Sequence, residues 1–186
     1  QPEALEALMT HMTPVQWESL DLNARPVEGP DVGKTVFWVA LALAVHGHPE
    51  VSEALMTYMT EDQWGSLDLN AGPVEGVNRG QTVFWRALGL AGGNHPEALE
   101  GLIAHMTEDQ WDSLDLNAAP VEGEEAGETV FWGALDLAAR GQPEALEVLM
   151  EHMTEDQWRS LDLNAAAVEE PDAGETVFWG ALDLAA

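Results

Sequence analysis

Two segments of the chain have the spacing of apolar residues that is typical of an amphipathic helix. In the first segment, Leu5, Leu8, Met9 and Met12 fall at positions i, i+3, i+4 and i+7. A similar segment further along the chain opens with Pro49, and proline is tolerated at the first position of a helix. The second stripe is formed by Phe37, Ala40, Leu41 and Ala44. Since each apolar stripe has to pack against a neighbour, the pattern predicts two long helices.

A short helix is predicted between these two long ones. The run Thr60-Glu61-Asp62-Gln63 fits a capping box, in which the threonine hydroxyl and the glutamine side chain each satisfy a backbone N–H at the helix start. The following residues 68–80 are rich in Gly, Pro and Asn, which predicts a loop or hairpin. The long helix that follows such a loop recurs along the chain, and its occurrences are expected to end at Gly47, Asn94 and Gly141. Glycine and asparagine most easily adopt the left-handed conformation at a helix end.

All of these features recur every 47 residues, without insertion or deletion. The repeat divides the chain into four copies, residues 1–47, 48–94, 95–141 and 142–186. We therefore predict one array over residues 1–186, an all-α repeat solenoid with two long helices, one short helix and a loop or hairpin in each copy. Two positions of the copy account for every tryptophan, and we expect all of them to pack between copies; an exposed ligand-binding platform is the alternative. These tryptophans are Trp17, Trp38, Trp64, Trp85, Trp111, Trp132, Trp158 and Trp179.

The loop and the start of the long helix resemble the ankyrin repeat. The family's Gly-x-Thr-Pro-Leu-His-x-Ala signature is similar to residues 33–40, GKTVFWVA, and its Asp-Val-Asn-Ala is similar to residues 21–24, DLNA. An ankyrin unit has about 33 residues, so each copy would carry an insertion that includes the short helix. The length of the copy also fits a HEAT or armadillo-like α-solenoid, whose units have about 40–47 residues, and this remains the alternative fold.

The resemblance implies a protein-binding scaffold, because ankyrin arrays present a concave surface made of hairpin tips and the first helix of each unit. On that surface the candidate partner-binding residues are the positions that differ between copies while their neighbours do not. Four of them precede the long helix and four lie within it. The first four are Lys34, Gln81, Glu128 and Glu175, and the second four are Val39, Arg86, Gly133 and Gly180.

Charge narrows the choice of partner. The chain has 34 acidic and 6 basic residues and a formal net charge of −28. Such a surface repels nucleic acid and anionic membranes, and no apolar run approaches the roughly 20 residues that cross a bilayer. The expected partner is a protein, including a basic one, or copies of the chain itself; solubility or adaptation to high salt are alternative explanations of the acidity. The chain contains no cysteine, and its compartment, cytoplasmic or secreted, stays open.

No catalytic, cofactor-binding or metal-binding site is predicted. The segment from Gly29 to Thr35 has one residue too few between its glycines for a phosphate-binding loop. The recurring Asp68-x-Asn70 lacks the spacing of a calcium loop and fits a turn. Histidines such as His105 recur near a helix end, where a cation complements the helix dipole.

The apolar pattern of the inner copies continues into both outer ones. A solenoid normally has terminal units with a polar outer face, so we expect this chain to be part of a longer array or to stack on copies of itself. Head-to-tail contacts of that kind form rings or filaments. A self-assembling structural protein is therefore the alternative function. The candidate end-to-end contact residues are Leu5, Leu8, Met9, Phe178 and Leu182.

Overall fold

The architecture was obtained from a computed structural model, which describes residues 8–29, 31–76, 78–93, 95–123, 125–166 and 174–183. Within these ranges the chain contains helices and no strand, which confirms the predicted all-α class; a lone antiparallel bridge joins Ala166 and Thr176. Leu5 and Asn94 lie outside the described residues. A helical turn at residues 8–11 comes first. The next helices along the chain are α1 (Pro14–Glu18), α2 (Val36–Val45), α3 (Pro49–Tyr58), α4 (Glu61–Ser66), α5 (Val83–Gly92), α6 (Glu97–His105), α7 (Glu108–Ser113), α8 (Val130–Ala139), α9 (Glu144–His152), α10 (Glu155–Ser160) and α11 (Val177–Asp183).

The long helix α2 has the predicted inner stripe and the predicted end. Its four stripe residues are buried, as is Trp38 beside them. The hydroxyl of Thr35 accepts a hydrogen bond from the Trp38 amide at 3.1 Å and so caps the first turn. At the other end Gly47 adopts a φ of 89°, and His48 N–H donates to the Leu43 carbonyl at 3.0 Å. This is a Schellman motif, which satisfies a carbonyl that the helix itself leaves without a partner.

The short helices begin with the predicted capping boxes. In α4 the Thr60 hydroxyl accepts from the Gln63 amide at 3.2 Å, and the Thr60 amide donates to Gln63 Oε1 at 2.9 Å. The same pair of bonds opens α1, α7 and α10. In α1 Pro14 occupies the first helical position, where its missing N–H leaves no helical bond unmade.

The loop between the short and long helices folds back onto the long helix. Leu22 and Ala24 offer their carbonyls to the amides of Phe37 and Val36, at 3.2 and 3.1 Å. These amides are among the first-turn N–H groups that have no partner within the helix. Equivalent bonds start α5, α8 and α11. The predicted loop is therefore tied to the helix that it precedes.

Loops of neighbouring copies also touch, and glycine makes this possible. Val121 N–H donates to the Arg79 carbonyl at 2.9 Å. Gly33 has a φ of 86°, and a Cβ at this position would lie 2.6 Å from the carbonyl oxygen of Gly72. Any other residue would meet both a strained backbone and a steric clash.

The four helices that follow the loops, α2, α5, α8 and α11, are called the long helices from here on. They lie side by side in sequence order. Helix α5 contacts α2 on one side and α8 on the other, and α8 in turn contacts α11. Each long helix also packs against the helix that comes after it in the chain, α2 on α3, α5 on α6 and α8 on α9. The most deeply buried side chains include Trp38 and Phe37 of α2, Phe84 of α5, Leu102 of α6 and Leu149 of α9. None of the described helices has the length and apolarity needed to cross a bilayer.

Candidate protein-binding surfaces

The tryptophans of the short helices are covered by an aromatic ring from the next copy. Trp17 stacks on Tyr58 with ring centroids 4.8 Å apart, and Trp64 stacks on His105 at 4.7 Å. Trp111 is covered in the same way by the ring of the equivalent histidine. His105 and His152 lie in the last turn of their helices, as predicted, and in addition their rings stack on a tryptophan of the preceding copy.

Two tryptophans of the long helices, Trp38 and Trp85, bond to the next copy through their indole nitrogen. Trp38 Nε1–H donates to the Gln81 carbonyl at 2.7 Å, and Trp85 Nε1–H donates to the Glu128 carbonyl at 3.0 Å. Six of the eight predicted core tryptophans are buried. Trp158 and Trp179, in the last copy, were predicted to be in the core and are exposed. Within the described residues there is no following copy to cover them.

The asparagine of the Asp-x-Asn motif joins adjacent copies. Asn70 Nδ2 donates to the Ser113 carbonyl at 2.7 Å, while its Oδ1 accepts from the Asp115 amide at 2.9 Å. Asn23 and Asn117 make the same two bonds with their own following copies. The turn predicted here is present, but the asparagine side chain is used for contact between copies. Its occurrence at the same place in every copy was the available signal.

The glutamine of the capping box has a second role of the same kind. Gln110 Nε2 donates to the carbonyls of Trp64 and Leu67, at 2.9 and 3.0 Å. Gln63 and Gln157 bond identically to the copies before them. One amide group therefore caps its own helix through Oε1 and satisfies two carbonyls of the preceding copy through Nε2.

The eight candidate partner-binding residues do not form one exposed surface. Gln81 is 4% exposed and Arg86 is 8% exposed, so both are buried and neither lies on the exposed surface where it was predicted. Val39 is exposed, and Lys34 is half-buried in an ion pair with Asp31 at 2.7 Å. The remaining four are half-buried: Glu128, Gly133, Glu175 and Gly180.

Arg86 is buried because its position faces the tryptophan of the preceding copy. Its guanidinium lies 4.8 Å from the centre of the Trp38 ring, a cation–π geometry, and Nε has no hydrogen-bond partner. Burial lowers the pKa of the Arg86 guanidinium below its ordinary value, which the charge of Glu125 opposes. At the equivalent place in the last copy, a Cβ on Gly180 would lie 2.2 Å from the Trp132 ring. At two of the four equivalent positions, Arg86 and Gly180, the residue is thus placed against a tryptophan of the preceding copy, and variation there is poor evidence for partner contact.

A large groove of about 740 Å³ opens beside α2. Lys34, Val39 and Arg86, three of the candidate partner-binding residues, are all part of its lining. The lining is otherwise mostly apolar. It includes Leu8, Met9 and Met12 from the first described segment and Val36, Ala42 and Leu43 from α2.

Of the residues predicted for end-to-end contact, Leu8 and Met9 lie in the first described segment, and Phe178 and Leu182 lie on α11. Leu8 is exposed, whereas Met9 is buried and still lines the groove. Phe178 and Leu182 are exposed on α11, together with Trp179. The apolar groove beside α2 thus lies at one end of the row of long helices, and the exposed apolar side chains of α11 form a ridge at the other end.

In the described ranges, no three His, Cys, Asp or Glu groups are arranged to hold a metal ion. In the glycine-bracketed segment before α2, the lysine pairs with Asp31 and the threonine caps the helix. No family model, curated protein or solved structure matches this chain.

Proposed function

We propose that this chain is a non-catalytic scaffold of four stacked, ankyrin-like helical units that works by binding other proteins. The observation that carries the proposal is the set of polar bonds between copies. The asparagine and glutamine bonds, and the aromatic cover on each short-helix tryptophan, join copies one to two, two to three and three to four in the same way. An array of this kind is stabilised by nearest-neighbour contacts and has no single central core.

The way the polar residues are used supports a non-catalytic role. His105 stacks on a tryptophan, and the asparagines and glutamines satisfy backbone groups of the adjacent copy. These side chains make contacts between adjacent copies. The exposed surfaces and grooves are therefore the parts of the chain that we expect to bind a partner. The loop bonds that start each long helix support an ankyrin-like unit over a HEAT or armadillo-like one, because they give each unit a folded-back loop in addition to its helix pair.

Deletion of one whole copy tests the stacked architecture. Removal of residues 95–141 joins copy two to copy four in register, and we expect a folded chain with the same helical circular-dichroism signal per residue. The matched control is a deletion of residues 95–130, which puts the copies out of register and should unfold the C-terminal part. Equal loss of structure in both deletions would indicate one indivisible core and would contradict the proposal.

A second candidate function, self-assembly from end to end, is favoured by the apolar groove at one end and the exposed α11 ridge at the other. Sedimentation velocity over a range of protein concentration and salt is the direct measurement. We expect the mean mass to rise with both, because salt screens the repulsion between chains of net charge −28.

The control for self-assembly is the double variant Phe178→Lys, Leu182→Lys, which places two charges on the ridge. It should remain folded and monomeric. If the unmodified chain is monomeric under all conditions, self-assembly is wrong, and binding of a different protein is the remaining candidate.

A further inference from the structure

We infer that the groove beside α2 is the seat for α11 of a second copy of this chain, in the register that the chain already uses between its own copies. The inference rests on the proposed self-assembly and adds to it the partner surface and the register. The groove is the receiving face and α11 is the inserted helix.

The first support is the identity of the groove wall. Val36, Val39 and Leu43 of α2 line the groove. The residues 47 positions later, Val83, Arg86 and Leu90 of α5, are buried, and α5 packs on α2. Inside the chain, therefore, this face of a long helix is covered by the long helix of the preceding copy. A long helix is the shape that fits the same face of α2.

The second support is that α11 presents the matching face. Phe131, Trp132 and Leu135 of α8 are buried where the next copy packs on α8. The same residue types on α11, Phe178, Trp179 and Leu182, are exposed. Three large apolar side chains exposed together on one helix are typical of an interaction site.

The hydrogen bonds between copies fix the register. Since Trp38 and Trp85 donate to the carbonyls of residues 81 and 128, the inferred contact would have Trp179 Nε1–H donate to the Lys34 carbonyl of the second copy. Asn117 bonds to the Ser160 carbonyl and the Asp162 amide. Asn164 would correspondingly reach the Ser19 carbonyl and the Asp21 amide of the second copy.

Charge complementarity also favours this register. Along the chain the position before the long helix is occupied by Lys34, Gln81, Glu128 and Glu175 in turn. Joining two chains end to end would bring Glu175 of one chain to the neighbour position of Lys34 of the other, a lysine that is also paired with Asp31 at 2.7 Å. Between copies three and four of the same chain, the corresponding neighbours are both glutamates. The join would therefore have a local attraction that this position lacks inside the chain.

Site-specific cross-linking can test the register, because the chain has no cysteine of its own. Two single-cysteine chains, Ser19→Cys and Asn164→Cys, are mixed at high salt and treated with a short bismaleimide. We expect the mixture to form a covalent dimer. Each variant treated with the bismaleimide by itself should give a clearly lower yield of dimer. The positive control is a single chain with Asn70→Cys and Ser113→Cys, an internal pair that bonds at 2.7 Å and has the same two residue types. The negative control pairs Asn164→Cys with Glu100→Cys, an exposed position on α6.

The outcomes separate the register from the self-assembly. Cross-linking of the 164–19 pair at a yield comparable to the internal control supports the inference. If sedimentation shows association but this pair reacts no better than the 164–100 pair, the inferred register is overturned while self-assembly stands. If sedimentation finds only monomers, both fall. As a further check, Lys34→Gln, which copies the residue of the second repeat, should weaken association about 2- to 5-fold, because it removes the half-buried positive charge that Glu175 would approach beside Asp31.

Discussion

Residues 128–139 and 175–186 have the same sequence, ETVFWGALDLAA. Where both segments are described, their environments differ. In the first segment Trp132 is 7% exposed, and in the second Trp179 is 54% exposed. Phe131 and Phe178 differ in the same way, 5% against 56%. The first segment has α11 packed on its outer side, whereas the described residues place no helix on the outer side of the second. Burial of these aromatic residues is thus supplied by the following copy.

One face of the repeated segment does not depend on that neighbour. Val130 and Val177 are both almost fully buried, whereas the equivalent Val36 of the first copy is half-buried and lines the groove. The amide of each also bonds to the loop of its own copy, to the carbonyls of Ala118 and Ala165. The comparison therefore divides each copy into a face that the preceding copy already covers and a face that needs the next copy to cover it.

The largest expected effect is on the tryptophans of the two identical segments. Trp132→Ala should reduce the free energy of unfolding by about 3–5 kcal/mol, as for other buried aromatic truncations. Trp179→Ala should cost less than about 1–2 kcal/mol, because less apolar area is lost from the core. Urea unfolding monitored by circular dichroism at low protein concentration measures both. Equal costs would contradict the role of the following copy.

A smaller effect is expected for the capping-box glutamine. Gln110→Ala removes the reciprocal cap and leaves two carbonyls of the preceding copy without their donor, at a cost of about 1–3 kcal/mol. Gln16 is exposed and, in the bonds that the structure describes, serves only its own cap, so Gln16→Ala should cost about 0.5–1 kcal/mol. The two variants are compared by urea unfolding. An equal loss in both would mean that the cap alone matters.

The asparagine bonds should contribute less, because they lie near the surface. Asn70→Ala should cost about 1 kcal/mol, since it removes one donor and one acceptor between copies two and three. Asn164→Ala, at the equivalent place in the last copy, should be nearly neutral in the monomer. Amide hydrogen exchange at Asp115 should become faster in the first variant only. Loss of protection elsewhere but not at Asp115 would argue against this bond.

The smallest expected effect is at Arg86. Arg86→Met keeps a long apolar side chain against Trp38 and removes a buried charge whose Nε has no partner. We expect a change within about 1 kcal/mol of zero and in the stabilising direction, because a buried charge carries a desolvation cost that good packing avoids. Urea unfolding checks the sign. A clear loss of stability would show that the cation–π contact outweighs that cost.

Much of each copy could be predicted from the sequence by itself. The capping boxes at Thr60 and Thr107, the stripe of α2 and the glycine end at Gly47 depend on residues within a turn or two of each other. The candidate partner-binding residues could be predicted less well. Variation between copies suggests exposure, but the variable residues Gln81 and Arg86 are buried in the structure, and Arg86 packs on the copy before it.

What only the tertiary structure decided is which of two identical residues is buried and what each polar side chain bonds to. The glutamine and asparagine of one copy find partners 43 to 46 residues away in the adjacent copy. No local pattern specifies such a distance, because it depends on how the copies stack. The sequence determines which face of each helix is apolar, since periodicity is local. The neighbour determines whether that face is covered, since burial requires a second surface.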